Sequence, residues 1–577
     1  MSGVNAVLSI ARTALLTQQL AIQVTSHNVA NVNTPGYSRQ QLVMEPNNST
    51  TIGLGEIGTG VHGQAIIQYH DKFMTAKVNQ QMSSMTGFEA KKSSMKVVET
   101  LFNETTEEGL SKLLGQFWAA WHDLGNNPAG KAERATLVGR AGLLIDHFQS
   151  LYSDLMRLST DMDINLGAGI EDINSLTGQI ADLNVQIITA DKGVGAANDL
   201  RDKRDYLVRQ LAELMDINYF EIGSGAYTIM SNSGHILVET DRSWDLELSG
   251  GQVYWVSSTG AEVEMRSGDV QGGKLGGWLA VKQEIIPDVL DKVNNLAESF
   301  IREVNSQHSQ GIGLAPFTTV TGAYASTNSA AAIGTSGSGL PFYDQVADGT
   351  FKLWLYDSSG NVIGGGATTI TIDADVTTLD VLATTTIAGI SGLDASVSSD
   401  GKLVISVNTT EQPTAAGFGF SDDTSSVLAA LGINTFFDGY DTGSIALNSV
   451  ITNNTDNIAA GTIDSTTGDY SLGDNENALA LADLQIQNVD IGGQSATFDD
   501  YYNALVGEIG ITSRGYNSGY DFSRNMVNQL SQLRDSVSGV SLDEEMTKLI
   551  QYQQAYSAAA RLIQASDEMM QTLLSAK

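Results

Sequence analysis

"MSGVNAVLSIARTALLTQQLAIQVTSHNVA", residues 1–30, places an apolar side chain at every third or fourth position. Val4, Leu8, Ala11, Leu15, Ile22 and Val29 form one stripe, with Gln18 and Thr25 as its polar steps. The far end of the chain repeats the pattern through Leu542, Leu549, Tyr552, Tyr556, Ala559, Ile563, Met570 and Leu573, interrupted by Ser566. Such a heptad keeps one narrow face toward a partner helix and is the signature of a coiled-coil seam. Two seams at opposite ends predict a helix pair, parallel or antiparallel, closed by the fold of the middle.

At 577 residues the chain is too long for one hydrophobic core, so several domains are expected. Apolar residues make up 42% of it, enough for real cores, while charged residues are only 17% and Gly, Ser, Thr and Asn fill the difference. The formal charge of −35 argues against nucleic acid and against anionic lipid, both of which need a basic face. With no cysteine, disulfides and thiolate metal sites are excluded. No apolar run approaches the ~18 residues of a membrane span, and residues 1–30 lack the basic-then-apolar pattern of a cleaved signal peptide.

Between the ends the period changes several times. Asn28, Asn31 and Asn33, followed by Pro35 and Gly36, stop the first helix, and alternation around Leu42 and Ile67 predicts a hairpin across residues 40–69. Helical spacing then runs to about residue 215. Its strongest set is Leu110, Leu113, Leu114, Phe117, Trp121 and Leu124, and Leu137–Met162 and Ile173–Ile187 read as two further helices. Residues 217–275 switch to a period of two, and helix returns over 277–308. From Pro316 to Ala478 the only bases are Lys352 and Lys402 among many acids, with strand-like runs at 351–356, 368–372 and 402–407 and a short helix ending at Gly432. Helix resumes near Ala478.

The expected fold is therefore mainly α with β-rich insertions. It comprises terminal coiled-coil helices (1–35 and 540–577), a helical body built from both halves of the chain (36–315 and 479–539, with the β-rich stretch 217–275), and an inserted all-β outer domain (316–478).

Two stretches carry a family resemblance. "NVANVNTPGYSRQ" from Asn28 and "SGVSLDEEMTKLIQYQQAYSAAARLIQASDEMMQTLL" from Ser538 resemble the terminal motifs of the flagellar rod, hook and hook-associated proteins. "LAALGINTFF" from Leu428 is similar to members found where hook meets filament. The resemblance implies a structural junction protein of the bacterial flagellum, required for filament assembly. It implies self-association into a ring, contact with hook subunits and with a second junction protein or filament subunits, and an export chaperone on the C-terminal region. It also implies type III export without a cleaved signal peptide, and end helices that order only on assembly. The alternatives are another axial rod or hook subunit, or a secreted surface adhesin acting through the β insertion.

On this reading the assembly interface is Val4, Leu8, Ala11, Leu15, Ile22, Val29, Leu549, Tyr552, Tyr556, Ala559, Ile563, Met570 and Leu573. The motif loop Asn31, Asn33, Thr34, Pro35, Gly36, Tyr37 and Arg39 sets the angle between the first helix and the body, with Tyr37 and Arg39 expected to touch a neighbouring subunit. Enzymatic readings are weak. Gly53, Gly55 and Gly58 spell G-x-G-x-x-G, but without a buried strand before them or a helix after. Asp161, Asp163 and Asn165 fall on a helical stretch rather than a calcium loop, with Gly167 one place late. The histidines are scattered, and acid pairs such as Asp422–Asp423 and Glu544–Glu545 suit solvated faces or a helix N-terminus. No catalytic residue, metal or cofactor is expected, and neither nucleic acid nor membrane is an expected partner.

Overall fold

The computed structural model describes residues 2–52, 55–103, 109–190, 197–223 and 225–575. Helix takes up about 54% of it, with β-sheets inserted between helices, so the fold is mainly α. In chain order, α1 (Ser2–Ala30) leads into β1 (Gln40–Pro46), β2 (Thr50–Ile52), β3 (Gly55–Ile57) and β4 (Val61–Gln68). Four helices follow: α2 (Lys72–Leu101), α3 (Leu110–Asn126), α4 (Lys131–Ala190) and α5 (Asn198–Leu214). Then come β5 (Ile217–Glu221), β6 (Tyr227–Ser231), β7 (Ile236–Glu239), β8 (Arg242–Ser243), β9 (Leu246–Ser249), β10 (Gln252–Val256) and β11 (Glu262–Met265). After α6 (Gly273–Ala280) and α7 (Ile286–Ser309) lie β12 (Thr319–Thr321), β13 (Gly349–Tyr356), β14 (Thr368–Ile372) and α8 (Leu379–Val381). They are followed by β15 (Leu393–Val397), β16 (Leu403–Val407), β17 (Gly417–Ser421), α9 (Val427–Ala430), β18 (Phe437–Asp438), β19 (Ala446–Leu447) and α10 (Ser449–Asn453). The chain ends with α11 (Glu476–Asp483), the hairpin β20 (Val489–Ile491) and β21 (Gln494–Ala496), then α12 (Phe498–Ser538) and α13 (Leu542–Ser575).

Three departures from the expected elements have physical causes. The two helices expected over 137–187 are one unbroken helix of 60 residues, α4. Gly167 and Gly169 weaken it locally by about 1 kcal/mol each relative to alanine. Met162, Leu166, Ile170 and Ile173 nevertheless continue its buried stripe past both glycines. At Gly169 a β-carbon would lie 2.9 Å from the Trp278 ring, so close packing accounts for that glycine. The helix expected over 277–308 opens with α6 and passes through a π-helical turn, Val281–Ile285, before α7. Pro287 lacks the N–H that a continuous ladder needs, and its ring crowds the carbonyl four residues back. The stretch 316–478 is β-rich rather than all-β, because α8, α9 and α10 sit among its strands. There β12, β15, β17 and the two-residue β18 and β19 escaped the sequence reading.

The chain divides into two compact units, each described in turn. One comprises Met1–Met95, Ser159–Glu284 and Ser513–Lys577. Its core joins Leu166, Ile170, Ile173 and Ile180 of α4 to Val208 and Leu211 of α5 and to Ile229, Leu237, Leu246 and Val253 of two sheets. The sheets have strand orders β5-β6-β7-β8 and β11-β10-β9. Polar side chains on α4 tie the strands down: Asn174 exchanges two hydrogen bonds with the backbone of Leu246, at 2.8 and 2.9 Å. Asn184 does likewise for Tyr227, donating to its carbonyl and accepting from its N–H, both at 3.0 Å.

The other unit comprises Lys96–Leu158 and Ile285–Thr512. Its centre is aromatic. Phe117 and Trp118 of α3 meet Phe300 of α7 with ring centroids 5.3 and 5.5 Å apart. Phe436 and Phe437, from the β-rich stretch, enter the same cluster beside Phe117 and Phe300. Two three-stranded sheets, β12-β16-β15 and β14-β13-β17, complete it. His308 is fully enclosed: its Nε2 accepts from the Ala459 N–H at 2.9 Å, which leaves Nδ1 to donate to the Asn434 carbonyl at 2.8 Å.

Candidate assembly interface

The terminal helices pair antiparallel. Ser566 Oγ donates to the Val4 carbonyl at 3.4 Å near one end, and Asn28 Nδ2 donates to Glu545 Oε2 at 2.8 Å near the other. Ala11 and Ala21 of α1 and Ala559 and Ser566 of α13 are buried, small residues that let the two backbones approach closely. Val4, Leu15, Ile22 and Val29 are half-buried, as are Leu549, Tyr552, Tyr556, Ile563 and Met570. Leu8 is 38% exposed, and the Leu573 side chain lies outside the described residues. From Leu549 to Met570 the predicted stripe on α13 is thus its covered face, though only half covered within one chain, while Leu542 at its start is exposed.

A second apolar set on the same helices is exposed. Val7 and Leu16 of α1 are exposed, as are Met546, Ile550, Leu562, Met569 and Leu574 of α13. Sequence reasoning passed over this set because it looked for one stripe per helix. The positions three and four residues off the first stripe would have shown it.

Sequence reasoning also missed which polar residues the helices enclose. Asn28 and Glu545 are buried against each other, Thr25 of the stripe is buried, and Thr17 is buried with its hydroxyl donating to the Val61 carbonyl of β4 at 3.1 Å. Glu545, expected on a solvated helix N-terminus, is 1% exposed. It accepts from Asn28 and from Lys548 Nζ at 3.1 Å, so its burial is compensated on both oxygens. Glu544 does remain exposed, and pairs with Arg39 at 2.8 Å.

The motif loop is held by a lattice of short bonds. Asn28 Oδ1 accepts from the Tyr37 hydroxyl at 2.8 Å and from the Gln40 N–H at 3.0 Å. Thr34 Oγ1 donates to Asn31 Oδ1 at 3.1 Å, and the Tyr37 N–H to the Thr34 carbonyl at 3.2 Å, which closes the turn around Pro35. Gly36 has φ +83°, and a β-carbon there would lie 3.1 Å from Tyr206 Cβ. Both the backbone and the neighbour therefore require glycine. Asn33, Thr34 and Pro35 are exposed at the turn. The Arg39 N–H donates to the Ser538 carbonyl at 2.9 Å, and its guanidinium lies 4.6 Å over the Tyr69 ring. The polar ends of Tyr37 and Arg39 are thus engaged inside the chain, joining α1 to β1, α12 and α13. Arg39 Nε is buried without a hydrogen-bond partner.

On α5, two aspartates receive the loop and its flanking strands. Ser38 N–H donates to Asp202 Oδ2 at 3.0 Å, Gln68 donates to Asp202 Oδ1, and Gln40 Nε2 donates to Asp199 Oδ1 at 2.8 Å. Burial is the main reason the Asp202 carboxyl is pushed up to about 7. The Ser38 bonds oppose the shift, and the nearby Asp205 and Asp199 charges add to it. Burial also raises Asp205, with the His70 side chain 3.5 Å away pulling the other way. The Tyr37 phenol is raised by burial first and by Asp199, Asp202 and Glu545 after it. A hollow of about 460 Å³ opens beside the loop between His27, Pro35, Tyr37 and Tyr206.

Of the G-x-G-x-x-G glycines, Gly53 lies outside the described residues, and Gly55 opens a strand instead of preceding a helix. Among the described residues no group of three or more His, Asp or Glu side chains is placed to hold a metal ion. Among them, too, no helix is long and apolar enough to cross a membrane. The chemistry on offer is association: half-covered apolar helices on a rigidly bonded root.

Comparison with known proteins agrees along the whole chain. Residues 95–320 match the family described as "Flagellar hook-associated protein FlgK helical domain". Residues 8–37 match "Flagella basal body rod protein", and residues 531–576 match "Flagellar basal body rod FlgEFG protein C-terminal". The flagellar hook-associated protein 1 of Salmonella typhimurium is 28% identical over 589 residues, covering 100% of this chain and 98% of that protein. The protein of the same name from Bacillus subtilis is 25% identical over 602 residues, covering 98% and 97%. In fold, the flagellar hook junction protein FlgK of Burkholderia pseudomallei aligns with a TM-score of 0.50 at 16% identity, over 80% of this chain and 100% of that one. Both terminal motifs, the helical region and the full-length relatives agree: this chain is similar from end to end to flagellar hook-associated protein 1.

Proposed function

We infer that the chain works as a structural junction protein of the bacterial flagellum, joining hook to filament, and that its mechanism is geometric. The observation that carries this is the terminal pair, α1 and α13, whose seam is half covered and whose second apolar set is exposed. Exposed apolar area of this kind is stabilised by burial against other protein, at roughly 25 cal/mol per Å². Neighbouring copies packed in a ring supply that cover, so the terminal coiled coil is completed by assembly and folding is coupled to it. Hook subunits meet one side of the ring, and a second junction protein or filament subunits meet the other.

Before assembly the C-terminal helix needs a shield, and an export chaperone on that region provides one. Export through the flagellar type III apparatus without a cleaved signal peptide fits ends that are simple helices. The β-rich stretch 316–478 is the outward-facing part. It holds only Lys352 and Lys402 as bases, so it presents an acidic, weakly charged surface.

Electron microscopy of a strain lacking this chain tests the reading. Hooks without filaments, with filament subunits released to the medium, are expected. Filaments of normal length in that strain would overturn it.

A further inference from the structure

A long cleft in the unit that holds the terminal helices carries no part in the reading above. It has a volume of about 620 Å³ and runs along the α2 face from Phe73 to Lys91, about 27 Å at the helical rise. Its opposite wall includes Ile217, Asn218 and Tyr219 of β5. Successive strand residues point to opposite faces, so a cleft lined by three in a row meets the strand edge-on. β5 is the outermost strand of its sheet, and among the described residues its outer edge pairs with no other strand. An open strand edge beside an empty cleft is a template for strand addition.

The floor of the cleft is polar. Ser83 is 3% exposed and its hydroxyl has no partner; Asp216 Oδ1 is buried and unpartnered too. Both flank Gly272, where a β-carbon would lie 2.4 Å from Ser83 Oγ and 3.1 Å from Asp216 Cβ. At the rim Phe73 is 70% exposed, and the charges on the walls are Lys77 and Lys91 against Asp216. The cleft is locally cationic on a chain of formal charge −35.

The chain carries a fitting occupant. β2 and β3 form a two-stranded sheet of their own, with Thr51 opposite Glu56. Thr50, Thr51, Glu56 and Ile57 are all exposed. Two strands alone are marginal in water, and a third strand stabilises them. We propose that the β2–β3 hairpin of a second copy of this chain adds to the free edge of β5 in the cleft along α2. Glu56 then faces Lys77, one helical turn from Phe73, and Ile57 points to the opposite face of the added strand. The contact rests on the self-association inferred above and names one interface within it.

The test uses the full chain with a photo-reactive phenylalanine analogue at Phe73, in an equal mixture of unlabelled and ¹⁵N-labelled copies. The expected product is a mixed-isotope cross-link to a peptide within residues 47–60. Lys77→Glu lowers its yield about two- to fivefold, the scale of one exposed ion pair, and Glu56→Lys in the same chain restores it. Association by sedimentation together with cross-links to other peptides, or only within one copy, overturns the hairpin contact and leaves self-association standing. Absence of association at every concentration overturns both.

Discussion

Asn28 and Glu545 lie 517 residues apart in sequence, yet their side chains meet at 2.8 Å with both residues buried. The contact locks α1 to α13 at the end where both helices join the body. Asn28 uses its whole carboxamide there, since it also serves Gln40 and Tyr37. Asn28→Ala leaves a buried carboxylate short of a donor and frees the motif loop. The expected cost is about 2–4 kcal/mol of local stability. Hydrogen exchange over residues 2–40 and 542–575 checks it, and unchanged protection in both segments would count against the contact.

Leu15→Asp and Ile563→Asp place a charge on the half-covered seam. Each is expected to abolish junction formation in a complementation assay, while the thermal transition of the unit holding Trp118 and Phe300 stays within about 0.5 kcal/mol of the parent, as expected for a distant surface change. Tryptophan fluorescence reports the second quantity. Loss of that transition together with assembly would show that the seam is core instead of interface.

Gly36→Ala tests the loop from its backbone. The residue sits at φ +83° with Tyr206 close by, so a methyl group is strained on both counts and costs roughly 1–2 kcal/mol. The change is expected as faster exchange of the Tyr37 and Ser38 amides, with the α4 core unaltered. Equal exchange in variant and parent refutes it.

Asp202 and His308 predict opposite responses to pH. The Asp202 carboxyl is raised to about 7 when folded. Its contribution is therefore full below the ordinary carboxylate value near 4 and is lost as pH rises through about 7. Docking of residues 31–40 on α5 is expected to loosen by a few kcal/mol between pH 5.5 and 8, and Asp202→Asn is expected to flatten that dependence. Exchange protection of those residues at the two pH values, corrected for intrinsic rate, decides the matter.

His308 is held near 4 by burial, below its ordinary value of 6.5, with Arg134 adding to the shift and the Asn434 bond opposing it. Its contribution is present above about 6.5 and is lost as pH falls through about 4, amounting to about 3 kcal/mol. Calorimetry at pH 7 and pH 4.5 is expected to show the aromatic unit weakening. His308→Gln is expected to remove that slope at some cost in stability at pH 7, and an unchanged slope would rule out the histidine as its source.

The heptads at the two ends were legible because a helix that buries one face must repeat at its own period. Pro35 and Gly36 marked the end of α1 because neither residue continues a helix. The same local chemistry made the hairpin 40–69, the stretch 217–275 and the helix end at Gly432 readable. What the sequence could not show is which polar residues the fold encloses. Glu545 reads as a solvated acid until α1 brings Asn28 against it, and Asp202 reads as one of many acids until Ser38 and Gln68 cover it. The length of α4 was hidden for a related reason: two glycines argue for a break, and only the stripe packed on both sides of them outweighs their cost. Periodicity is a local property, written in residues three or four apart. Burial of a polar group, the cover on a helix face and the survival of a weak helical turn depend on contacts hundreds of residues away, and tertiary structure alone decides them.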